Sequence, residues 1–92
     1  MKLTISNQEL DFNFRFKEVA ELEKHVQLKD LQEFVSKVGN AALILSIGTG
    51  KSLDECVEIL NEGTLKDAQK VGDAFAELVV KYIDPNSLTP TN

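Results

Sequence analysis

Cysteine occurs once in these 92 residues, histidine once, and no apolar run is longer than the stretch Ala41 to Ile47. Each scarcity excludes something. A lone Cys56 rules out an intrachain disulfide framework and suits a reducing compartment. The apolar stretch falls far short of the roughly 20 residues that span a bilayer. The opening MKLTISNQELDF carries one lysine, then alternates and turns acidic, unlike a secretory signal. The expectation is a protein that stays in the cytoplasm where it is made and does not contact a membrane. Basic residues are also in the minority, ten against fifteen acidic ones, for a net charge of -5 spread along the chain. Such a field opposes phosphate backbones, so nucleic acid is not an expected partner.

What is present describes an ordinary globular chain. Apolar residues make up 42% and charged residues 27%, which predicts a packed core rather than disorder. The length allows one domain and one core. Residues 2 to 5, KLTI, alternate, as do residues 9 to 14, ELDFNF, which put Leu10, Phe12 and Phe14 on one face. Ser6, Asn7 and Gln8 between them supply turn chemistry. A β-hairpin over 2–14 is predicted.

From Phe16 the period changes to about 3.6. A first helix over about 16–26 carries Phe16, Val19, Ala20, Leu22 and Val26, and a second over about 29–47 carries Leu31, Phe34, Val35, Val38, Ala42 and Leu45. Gly48 is expected to end the second helix in a left-handed conformation. Ser52 and Glu55 form a capping-box pattern opening a third helix over about 53–61, which buries Cys56, Val57 and Leu60. Thr64 caps a fourth over about 65–83, with Leu65, Ala68, Val71, Phe75, Leu78, Val79 and Tyr82 on its buried side. Asp84-Pro85 ends it. The fold class is mainly α (α+β): a two-stranded hairpin and about four helices in one domain over 1–84, with 85–92 as a flexible tail.

No residue set reads as a catalytic, cofactor or metal site, and no small-molecule substrate is implied. The IGTGKS stretch, residues 47 to 52, resembles a phosphate loop but has Leu45 where the pattern requires its first glycine. His25 lacks an acid-base partner or further metal ligands. The carboxylate pairs Glu18 with Glu21 and Asp54 with Glu58 have the spacing of solvated helix faces. Cys56 reads as a small core residue.

Two helices carry more apolar surface than one face requires. Leu43, Ile44 and Ile47 fall opposite the main stripe of the second helix, and Val80 and Ile83 fall off that of the fourth. Central burial explains this pattern, and so does a surface for a partner or a second copy. These five residues are the candidate partner-binding set.

The MKLTI strand, the acidic ELDFNF strand and the helix FKEVAELEK together resemble the opening of the small tail assembly chaperones of siphoviruses and prophages of Gram-positive bacteria. Residues 1 to about 26 carry the resemblance. It implies a non-enzymatic role in the host cytoplasm, binding the long, aggregation-prone tape measure protein during tail tube assembly, with self-association possible. Family members often have a longer frameshifted form, and the resemblance implies that this chain would correspond to the short form or to a member lacking the extension. The alternatives are a small structural tail or head-completion protein, or a regulator that binds a host factor.

Overall fold

The computed structural model describes residues 1–82, so the expected tail over 85–92 and Ile83 lie outside the described residues. Strands β1 (Lys2–Ile5) and β2 (Gln8–Asp11) pair antiparallel, with Leu3 opposite Leu10 and Ile5 opposite Gln8. The turn is only Ser6 and Asn7, both left-handed with φ of 52° and 66°. This is the primed geometry whose twist matches the strands. Gln8, expected in the turn, already belongs to β2.

Two side-chain carriers lose about 1–2 kcal/mol each in that conformation, and tertiary bonds hold the turn in place. Ser6 Oγ donates to the Ile59 carbonyl at 2.6 Å, and its N–H donates to Asp67 Oδ1 at 3.3 Å. Asp67 Oδ2 also accepts from the Thr64 N–H at 2.9 Å. One carboxylate thus caps the start of the last helix and fastens the hairpin to it. Gly63 lies beneath, where a Cβ would collide with Ser6 Oγ and Asp67.

The amides of Thr64 and Ser6 hold the Asp67 carboxyl below its ordinary value of 3.8. A lowered folded-state value means the contribution is fully present above the unfolded value and is lost as pH falls through the folded one. Urea midpoints of the protein and of Asp67→Asn, taken from about pH 6 to about pH 2.5, should therefore differ at the upper end and converge at the lower. A gap constant with pH would contradict this role.

Helix α1 (Phe16–Leu22) opens with the Arg15 N–H donating to Glu18 Oε1 at 2.9 Å and buries Val19 and Leu22. Phe16, expected on the inner stripe, is 75% exposed. The helix stops at Leu22 rather than Val26, because its last turn tightens as the His25 N–H bonds to the Leu22 carbonyl.

The largest departure falls on the predicted second helix. A 3-10 turn (Leu28–Asp30) leads into α2 (Leu31–Ser36), Lys37 is extended, a second 3-10 turn (Val38–Asn40) follows, and α3 runs from Ala41 to Thr49. Asn40 Nδ2 donates to the Phe34 carbonyl at 2.9 Å, a second bond to an acceptor at the end of α2 that also takes the Lys37 N–H at 3.3 Å. Gly39 and Asn40 in succession are poor helix formers, so the interruption costs little.

The glycine roles also shift. Gly50, with φ of 81°, is the left-handed C-terminal residue, whereas Gly48 stays helical and buried. A Cβ at position 48 would collide with one edge of the Phe12 ring. The bare helix surface there is the seat of that ring.

Helix α4 (Leu53–Asn61) buries Cys56 and Ile59, while Val57 is exposed and Leu60 half-buried. The Ser52 arm of the expected capping box forms, its Oγ accepting from the Glu55 N–H at 3.2 Å, but the Glu55 side chain reaches Lys51 instead. Helix α5 (Leu65–Tyr82) buries Ala68, Val71, Ala74, Phe75 and Val79, and leaves Leu65 exposed. The core centres on Phe14, whose ring meets Phe75 edge-on at 4.7 Å and tilts against Phe12 at 5.7 Å.

A candidate docking groove between two helices

The break at Lys37 leaves α2 only six residues long, lying on a longer α5. Small residues recur on α5 at Ala68, Gly72 and Ala76, one helical turn apart. At Gly72 a Cβ would come within 3.3 Å of Val35 Cγ1, so the missing side chain lets α2 settle close. Beside this contact the two helices leave two adjoining depressions of about 400 and 290 Å³. Both are lined by Val35, Ser36 and Ala76, and together they follow α5 from Ala68 to Val79. At 1.5 Å per residue that is a run of about 16 Å.

The floor is apolar: Leu31, Ala41, Ile44, Phe75 and Val79. Polar groups stand at the edges, chiefly Gln32, Lys37, Gln69 and Asp73. Such a channel suits the apolar face of a helix, which presents side chains at i, i+3, i+4 and i+7.

The five residues singled out from the sequence do not form one surface. Ile44 is 1% exposed and belongs to the core, where it also reaches the groove floor. Its expected place opposite Leu31, Phe34 and Val35 presumed one continuous helix, and the break at Lys37 removes that angular relation. Leu43 and Ile47 are half-buried in a separate, more polar depression of about 540 Å³ between α1 and α3, bordered by Lys17, Glu21, His25 and Lys51. Val80 falls within α5 on the backbone. Neither helix announces the α2 and α5 groove alone; the tandem Gly39-Asn40 inside an otherwise helical pattern signals the helix interruption but not the groove.

The segment resembling a phosphate loop is a junction between helices. Ile47, Gly48 and Thr49 lie in α3, so their amides are engaged in the helix. Ser46 Oγ donates to the Lys51 carbonyl at 2.7 Å, and Lys51 Nζ reaches Glu55 Oε2 at 3.3 Å. Cys56 has no exposed surface, and burial pushes its thiol up from 9.0. Among the described residues no group of three His, Cys, Asp or Glu is placed to hold a metal, and no helix is long and apolar enough to cross a membrane. No protein-family model, no curated protein and no solved structure matches the chain.

Proposed function

We propose that the chain is a tail assembly chaperone of a siphovirus or prophage, which shelters an apolar helical segment of the tape measure protein in the host cytoplasm. The observation that carries this reading is the open channel between α2 and α5, apolar where Leu31, Phe75 and Val79 line it and mixed apolar and polar toward Ala68, long enough for about three helical turns. The resemblance of the first 26 residues to that family supports it, as does an acidic surface that keeps a protein with open apolar channels soluble. The role needs no catalysis, only reversible burial of client surface.

Co-expression with the tape measure protein of the same tail should raise the client's soluble fraction several-fold. Ala76→Glu should abolish most of that gain, because Ala76 is exposed, lines both depressions and tolerates substitution without disturbing the core. No gain with the unaltered protein would refute the chaperone reading. A gain lost with Leu43→Lys but kept with Ala76→Glu would move the client to the groove between α1 and α3.

A further inference from the structure

Helix α4 directs Cys56 and Ile59 inward, yet its solvent side is not uniformly polar. Leu53 is 48% and Val57 41% exposed, and half-buried Leu60 continues their row at helical spacing. One residue further round, Asp54, Glu58 and Glu62 form a parallel row, all exposed. Among the described residues these three carboxylates have no cationic partner; the nearby Lys51 is committed to Glu55. Between Leu53 and Glu62 there is no lysine or arginine.

This pairing of rows selects its occupant. A second copy docked through the same face would set carboxylates against carboxylates, and like charges across an interface are costly. Nucleic acid and anionic lipid are repelled by the same row. A helix whose apolar stripe is bordered by Lys or Arg meets both rows at once, with apolar side chains against Leu53, Val57 and Leu60 and cations over Asp54, Glu58 and Glu62.

We propose that the outer face of α4 is a second docking surface, taking a basic amphipathic helix of a partner protein. It lies on a different helix from the α2 and α5 groove and shares no lining residue with it. The proposal therefore stands or falls separately from the chaperone reading.

The probe is a fluorescently labelled helical peptide with leucines at heptad spacing bordered by lysines, titrated into the full chain and followed by anisotropy. Its counterpart carries glutamates at the border positions. The lysine peptide should bind at least about tenfold more tightly. Val57→Asp should weaken it by about tenfold, and the double reversal Asp54→Lys with Glu58→Lys should weaken it by about fivefold while improving the glutamate peptide. Ala76→Glu should leave all of this unchanged. Absent or equal binding of the two peptides, indifference to the α4 substitutions, or loss on Ala76→Glu would overturn the proposal. So would self-association by sedimentation that disappears with Val57→Asp, since a second copy would then cover this face.

Discussion

Phe14→Ala should cost the fold about 3–5 kcal/mol, the usual range for removing a buried aromatic ring. The ring is 1% exposed and stands where the hairpin strand leaves the sheet, touching Phe12 on one side and the edge of Phe75 on the other. Its loss opens a cavity between hairpin and α5 and deletes an aromatic pair that adds about 0.5–1.5 kcal/mol beyond area alone. Total stability for a domain of this size is about 5–15 kcal/mol, so urea unfolding followed by circular dichroism should show a much earlier transition, or a broad one without cooperativity. Phe16→Ala is the internal control. Only two residues away, but 75% exposed, it should change stability by no more than about 0.5 kcal/mol. Equal effects at the two positions would mean that the hairpin does not pack as described.

Gly48→Ala sets two effects against each other. Helix propensity favours alanine by about 1 kcal/mol at such a position. Packing opposes it, since the new methyl would occupy the space of the Phe12 ring. Phe12 has no accessible surface and little room to withdraw. Overpacking a well-filled core costs about 1–3 kcal/mol, so steric conflict should win and the variant should be destabilised. Trimming the ring in the same molecule, as Gly48→Ala with Phe12→Leu, should recover part of the loss. A coupling of at least about 1 kcal/mol is expected in the double-mutant cycle. Additive losses would show that the two positions do not meet.

Sequence pattern was enough for the parts of this fold governed by local rules. Alternation placed β1 and most of β2, although β2 ends at Asp11 and the alternating residues 12–14 continue beyond the strand; the Ser52 and Thr64 signals placed the starts of α4 and α5, and Leu10, Phe12 and Phe14 are all buried. What could not be read depends on partners distant in sequence. Gly48 has the look of a helix terminator until the ring of Phe12 is set against it. Leu31, Phe34, Val35, Ala42 and Leu45 stay buried or half-buried across a break that leaves Val38, expected on the same stripe, 47% exposed, because a hydrophobic period records which side faces the core and not whether the backbone is continuous. Of the proposed partner-binding residues, Leu43 and Ile47 do reach a surface depression, whereas Ile44 helps to fill the core. The groove between α2 and α5 arises from the packing of two segments about forty residues apart, and no local rule encodes that.

The sheet has a bearing on how a client can be held. With two strands of four residues each, both strands are edges, the kind of surface to which an extended chain can add a third. Short length and charge work against it: Lys2 and Asp11 close one end of the ladder with an ion pair at 2.7 Å, and Glu9 stands exposed on β2. Under the proposed function, such a sheet is a poor template for backbone pairing with an aggregation-prone client. On that reading a client would meet helix-shaped recesses rather than a strand to extend, and its release would proceed side chain by side chain without unzipping a shared sheet.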